Sequence, residues 1–286
     1  MTKLRQQLIQ ELVLRGCSPR TQEAYISAVL QLAKYYRRSP DQVTDQELKD
    51  YLFYLADTRK LSASSCNQAN SALRFFYTHV LMRSTESLAR VLPRPRQDTR
   101  RPQVFSIGEL ERLFTVGCYS PRDRAFLMTV YGAGLRLNEA CHLQLKHIDS
   151  ARGQIRVVAG KGRKDRYTLL SPRLLQELRE YWKWCRPQVW LFPSRQNQDL
   201  PMIDCTAQRI FNKAVERAGL PDKGGIHSLR HSFATHLLEA GVEITVVSRL
   251  LGHSSLSTTS TYLHVRQERL AQIAGPLQLL DLSRVP

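Results

Sequence analysis

Near the C-terminal end of the 286-residue chain, His227-Ser-Leu-Arg230-His231 is followed by Leu-Gly-His253 and then by Thr-Tyr262-Leu-His264-Val. Imidazoles, a guanidinium and a phenol in that order are groups that can act together on one phosphodiester. A lone histidine or tyrosine would carry little weight, since most are satisfied core or surface residues. The ordered cluster carries more. His227 and Arg230 stand three apart at a predicted helix start, so both project from one face. Backbone N–H groups at that end add positive potential, and together they make an anion site. An amphipathic helix with a cap and a surface arginine fits the pattern as well when it is taken alone.

His231 and His236 invite a metal reading. The chain has no His-Glu-x-x-His arrangement and no Cys or carboxylate cluster beside them, so no metal site and no cofactor are expected. Residues 241–252, Gly-Val-Glu-Ile-Thr-Val-Val-Ser-Arg-Leu-Leu-Gly, have the form of the second half of a helix-turn-helix. Their Ile244, Val246, Val247, Leu250 and Leu251 suit a core better than base edges, which need outward polar side chains.

The elements that must hold these groups are mainly helical. From residue 3 to about 90, Leu4, Leu8 and Leu12, then Tyr25, Ala28, Val29, Leu32 and Tyr36, then Leu48, Leu52 and Leu55, then Ala69, Leu73, Phe76 and Val80 recur at helical spacing. Ser18-Pro19, the capping box Thr44-Asp-Gln-Glu47 and Ser62 signal helix starts. The pattern predicts four helices in a compact N-terminal domain, residues 1–92. Beyond the Pro/Arg-rich residues 93–102, Ser106-Ile-Gly-Glu109 and Ser120-Pro121-Arg-Asp123 open two more helices. Residues 154–170 change to strand periodicity around Gly160-Lys161-Gly162, a hairpin signal. Ser171-Pro172 returns the chain to helix, and helical patterns continue to Ala274. Residues 103–275 thus read as a second domain, mainly α with a small antiparallel β-sheet. Gly275-Pro276 ends the order and leaves an apolar tail, residues 276–286.

The hydrophobic content of 42% is enough for buried cores, and the formal net charge is +17. Both halves carry an excess of Lys and Arg, which suits a polyanion held between two domains better than a basic tail on a neutral enzyme; solubility alone is the rival reading. Residues 93–102, with three prolines and four arginines, read as a stiff linker lying on DNA or as a solvated basic loop. No helix sets a basic face against a Trp/Phe/Leu face, which weakens a membrane-surface reading. Cys17, Cys66, Cys118, Cys141, Cys185 and Cys205 show no CxxC or zinc spacing and read as reduced, mostly buried small apolar residues. With no apolar run of about 18 residues and no uninterrupted N-terminal apolar segment, a cytoplasmic protein is expected.

The motifs resemble those of the tyrosine recombinases, which include phage integrases and Xer resolvases. Residues 227–238, His-Ser-Leu-Arg-His-Ser-Phe-Ala-Thr-His-Leu-Leu, together with Leu-Leu-Gly252-His253-Ser-Ser and Ser-Thr-Thr-Ser-Thr-Tyr262-Leu-His-Val, are similar to the family's second catalytic box. Tyr131-Gly-Ala-Gly134-Leu135-Arg136-Leu-Asn-Glu139 resembles its first box, and Gly160-Lys161-Gly162-Arg-Lys-Asp-Arg its catalytic hairpin. The likeness covers roughly residues 3–275. Leu263 stands where the family often has Thr.

The resemblance implies an N-terminal SAM-like core-binding domain and a tyrosine-recombinase catalytic domain that together clamp duplex DNA. Tyr262 is then the nucleophile that forms a 3′-phosphotyrosyl link and frees a 5′-hydroxyl. His227 resembles the general base, Arg136 and Arg230 the clamp on the non-bridging oxygens, and His253 a further donor. Lys161 would protonate the leaving 5′-oxygen, and Glu139 would support the active-site arginine; metal and ATP are not needed. Blander readings are a surface ion pair for Arg136 and Glu139, a phosphate contact for Lys161 and a core position for Tyr262. Family members act at specific core sites as tetramers, homo- or hetero-, often exchanging a C-terminal segment. DNA-bending or directionality proteins can assist, and the setting is the nucleoid. The alternatives are a type IB topoisomerase-like relaxing enzyme and a non-catalytic DNA-binding regulator.

Overall fold

The computed structural model describes residues 2–93, 103–158, 165–221, 223–253, 255 and 259. The chain divides into two compact units, Met1–Arg100 and Arg101–Pro286.

Capping hydroxyls set most helix starts in the first unit, which contains α1 (Lys3–Leu14), α2 (Pro19–Tyr36), α3 (Asp45–Phe53), α4 (Ala63–His79) and α5 (Thr85–Val91). The Ser18 and Ser62 hydroxyls accept backbone N–H groups of the first turns of α2 and α4, and Thr44 and Glu47 close a capping box on α3. Leu8, Leu12, Val29, Leu32, Leu48, Leu55, Leu73 and Phe76 are buried together, as their spacing predicts, whereas Tyr25, Tyr36 and Val80 lie at the margin of the core. The fifth helix corrects the expectation of four. Its seven residues are too few to show a period, yet Leu88, Val91 and Leu92 are buried in the same core.

The second unit contains α6 (Ile107–Arg112), α7 (Pro121–Gly132), α8 (Leu137–Cys141), β1 (Ile148–Asp149), β2 (Gln154–Val157), β3 (Arg166–Leu169), α9 (Pro172–Cys185), α10 (Asp204–Arg217), α11 (His227–Glu239) and α12 (Ile244–Leu251). The strands form one antiparallel sheet in the order β1-β2-β3, with Ile155 opposite Thr168 and Val157 opposite Arg166. Strand β1, two residues long, is too short for its alternation to be read from sequence. Phe105, Leu113, Phe126, Ile155, Tyr181, Phe192, Phe211 and Leu229 anchor the core beneath the sheet and helices.

Helix does not run unbroken from Ser171 onward, as the periodicity suggested. Arg186 ends α9 in the left-handed region at φ 46°, and residues 187–203 are irregular, with isolated strand-like pairings of Gln144 with Trp190 and Pro193 with Pro201. Prolines at 187, 193 and 201 remove the N–H groups that a helix would use. On α12, Val247 and Leu251 pack against Phe233, Ala234 and Leu238 of α11, in keeping with a core role, although Val246 is exposed. The cysteines are free, but only Cys66 and Cys141 are buried; Cys205 is exposed on α10, which corrects the expectation that most are buried. Among the described residues no cluster of His, Cys, Asp or Glu is arranged to hold a metal, and no helix is long and apolar enough to cross a membrane. The hairpin turn with Lys161, residues 94–102 of the linker, Tyr262 and the tail lie outside the described residues.

Candidate active site

Glu139, near the start of α8, is the hub of the site. Its carboxylate accepts the Arg136 backbone N–H at 2.8 Å and Arg136 Nη1 at 2.9 Å, while Arg166 Nη1 and Nη2 each donate to it at 2.7 Å. Arg230 Nη1 stands 3.8 Å away. Burial by itself would raise the carboxyl, but hydrogen bonds and charge from Arg166, then from Arg136, outweigh it and bring it down to about 2.

The same three arginines reach the end of α12. Arg166 Nε donates to the Leu250 carbonyl at 2.9 Å, Arg230 Nη2 to Leu251 at 2.6 Å and Arg136 Nη2 to Gly252 at 3.2 Å. A helix leaves its last carbonyls without intrahelical partners and concentrates negative potential there, so its C-terminus is a natural seat for guanidinium groups. Arg230 Nη1 also donates to the Gly134 carbonyl at 2.6 Å, tying α11 to the end of α7. Three positive charges and one carboxylate leave the cluster at net +2.

Two glycines make this approach possible. Gly134 has φ +60°, and a Cβ there would overlap the Phe233 ring. Gly252 caps α12 at φ +62°, and a Cβ there would lie 2.6 Å from Arg166 Cδ. Only glycine meets both the backbone and the space requirement at either position.

The imidazoles flank the arginines. His253 follows the α12 cap, and its Nδ1 is 2.8 Å from the buried Thr259 hydroxyl. Burial, then Arg230, Arg136 and Arg166, pushes His253 down to about 4. His227 opens α11 and is lowered by desolvation, then by Arg230 and Arg136, even though the residue as a whole is exposed. His231 is lowered to about 4 by burial, then by His227 and Arg230. At neutral pH all three rings are therefore uncharged in the absence of DNA, and the fixed charge belongs to the arginines.

The structure brings Arg136, Glu139, His227, Arg230 and His253 into one region; Lys161 and Tyr262 lie outside the described residues. Arg166 is the member that the motifs did not single out. It had a signal: β3 turns Thr168 inward, and Arg166 shares that face, two residues away. An arginine on the core side of a strand needs a carboxylate, and Glu139 supplies it. All three guanidinium nitrogens of Arg166 are engaged, whereas the Arg136 side chain retains 24% exposure and is open to a ligand.

The phage integrase family pattern matches residues 104–269, and that of the phage integrase N-terminal SAM-like domain matches residues 4–87. A putative integrase/recombinase of Sinorhizobium fredii is 39% identical over 98% of this chain and 90% of its own. A tyrosine recombinase of Pseudothermotoga lettingae is 32% identical over 93% of this chain and 94% of its own. Among solved structures, XerA recombinase shares 26% identity at a TM-score of 0.55, covering 94% and 96% of the two chains. A lambda integrase dimer bound to a COC′ core site shares the fold, with a TM-score of 0.75 at 20% identity over 93% and 96%. The two domains and the shared fold define a tyrosine-type recombinase. The chain belongs to the phage integrase family.

Proposed function

We propose that this protein is a site-specific DNA recombinase that cleaves and rejoins duplex DNA through a 3′-phosphotyrosyl intermediate on Tyr262. The observation that carries the assignment of the site is the Glu139-centred set of arginines, net +2, flanked by neutral imidazoles. Tyr262 attacks the scissile phosphorus, and its phenolic proton passes to His227, whose lowered pKa keeps it neutral and able to accept. Arg136 and Arg230 bind the non-bridging oxygens of the phosphorane, where guanidinium forks offer paired donors and constant charge. With the Thr259 hydroxyl donating to Nδ1 of His253, Nε2 carries the proton and donates a further hydrogen bond to one of these two oxygens. Lys161 protonates the departing 5′-oxygen. In the rejoining step a 5′-hydroxyl attacks the phosphotyrosine and Tyr262 leaves, so the energy of the cleaved bond is retained in the intermediate. Arg166 and Glu139 hold the arginine geometry from behind.

In this reading residues 1–92 and 103–275 both contact the duplex, residues 93–102 follow its backbone, and protomers assemble as a tetramer on paired core sites in the nucleoid. Residues 276–286 pass to a neighbouring protomer, and accessory DNA-bending or directionality proteins act on that assembly. A nicked suicide duplex carrying the selected core site tests the chemistry. Covalent protein–DNA product is expected from the wild type and not from Tyr262→Phe; product that persists in the mutant removes Tyr262 as nucleophile. Relaxation of supercoiled plasmid without a core site would instead indicate a topoisomerase.

A further inference from the structure

Away from the arginine cluster, the second unit contains a cavity of about 490 Å³ where the start of α7 meets α10 and the chain around residues 194–203. That volume lies within the roughly 300–1,000 Å³ of small-ligand sites. The walls carry Arg122, Arg195, Arg209, Lys213 and Arg217 against one carboxylate, Asp123.

Arg122 separates this cavity from an ordinary basic surface. It is only 4% exposed; Nη2 donates to the Pro193 carbonyl, the Tyr181 hydroxyl stands beside the guanidinium, and among the described residues Nη1 has no hydrogen-bond partner. A buried guanidinium with an unmade hydrogen bond is costly, and an anion in the cavity would satisfy it. No carboxylate forms an ion pair with Arg122, Arg209 or Lys213 among the described residues, while Asp123 stands 3.7 Å from Arg195. Arg217 lies over the Tyr119 ring at 4.4 Å. The twelve-residue α7 starts here behind its Ser120 cap and turns its positive end to the cavity. Ile203 and Ile210 add an apolar wall.

We propose that this cavity is a second phosphate-binding site, separate from the catalytic cluster, in which Arg122, Arg209 and Lys213 hold one phosphate group. Arg136 lies beyond the other end of α7, and twelve residues at 1.5 Å each span about 18 Å, so one phosphate does not serve both places. The phosphate comes either from a free phosphorylated molecule, whose remaining part lies on the apolar wall, or from the DNA backbone outside the scissile position.

The test uses the full chain, wild type and the exposed double variant Arg209→Ala/Lys213→Ala, with Arg122→Gln as a third protein. Calorimetric titration with inorganic pyrophosphate and duplex binding across a salt series are the two readouts. A free ligand predicts one fewer pyrophosphate bound by the double variant, with an unchanged salt slope for duplex. A backbone phosphate predicts weaker duplex binding, with the log–log salt slope reduced by about 1, since each neutralised phosphate contributes roughly 0.9. Unchanged pyrophosphate stoichiometry together with an unchanged salt slope overturns the site. If Arg122→Gln does not fold, the double variant still decides. The pyrophosphate measurement reads the same whether or not Tyr262 cleaves DNA, so failure here is distinct from failure of the recombinase reading.

Discussion

Replacing Glu139 by Gln tests whether one buried carboxylate organises the site. The carboxyl is brought from 4.5 down to about 2, and at roughly 1.4 kcal/mol per pH unit that preference is worth about 3 kcal/mol. The side chain is 8% exposed, so little of this is lost to solvent screening. Removing one partner from a buried ionic group costs about 3–5 kcal/mol, which agrees. Gln keeps the size but loses the charge, and its amide would point donors at guanidinium donors. For a unit of this size, about 3 kcal/mol lowers Tm by about 6–12 °C. The three tryptophans, Trp182, Trp184 and Trp190, all lie in the second unit, so urea unfolding followed by their fluorescence reports on that unit. Because the folded value lies below the unfolded one, the stabilisation is complete above about pH 4.5 and is lost as pH falls through 2. The wild-type advantage should therefore shrink from about 3 kcal/mol at pH 7 to about 2 kcal/mol at pH 3.5. A difference below about 1 kcal/mol at pH 7, or one that does not change with pH, refutes the reasoning.

Arg230→Lys removes a fork that bridges the Gly134 and Leu251 carbonyls, which a single ammonium cannot span; covalent-product formation on the suicide duplex should slow by about 100-fold or more, and a change under tenfold would count against the clamp role. In the DNA-free protein, ring-proton NMR should show His253 and His231 titrating near pH 4, well below 6.5. Their neutral folded forms make stability fall as pH drops from 6.5 towards 4, and a midpoint near 6.5 for His253 would mean that the ring is neither buried nor beside the arginines as described. Gly134→Ala combines left-handed strain with overlap on Phe233 and should lower Tm or soluble yield clearly, whereas an unchanged Tm would show that Phe233 can move aside.

Much of this arrangement was legible in the sequence because its signals are local. Capping residues at Ser18, Thr44, Ser62, Ser106, Ser120 and Ser171 mark helix starts that the structure shows, since an N-cap acts within one turn. The hairpin followed from β-branched runs around two glycines. What escaped depends on distance or shortness: α5 and β1 are too short to show a period, and residues 187–203 take their path from pairings with other segments. Glu139 was named as a support for Arg136, three residues away, by the family resemblance and not by the spacing; the residues alone left a surface ion pair equally open. Its second and fuller partner, Arg166, comes from another element 27 positions away. The buried Arg122 with one nitrogen left over could not be foreseen, because Ser120-Pro121-Arg-Asp123 reads only as a helix start.

A carboxylate at the centre of an anion site first looks like a contradiction, and the geometry resolves it. Three guanidinium groups confined between α8, α11, β3 and the end of α12 would repel one another strongly in the DNA-free protein. The Leu250, Leu251 and Gly252 carbonyls at the end of α12 relieve part of that repulsion, but they are dipoles and cannot cancel a charge. Glu139 cancels one and hydrogen-bonds two of the three arginines, which fixes their directions before DNA arrives. The remaining net +2 exceeds the single negative charge of a phosphodiester and matches the two that accumulate on its phosphorane. In such a site the charge balance improves as the reaction proceeds, which favours the transition state over the bound substrate. A fully uncompensated set of three arginines would bind the ground state more tightly without that gain. In the proposed mechanism the position of Glu139, with its oxygens occupied by Arg136 and Arg166, therefore belongs to the chemistry as much as to the stability of the unit.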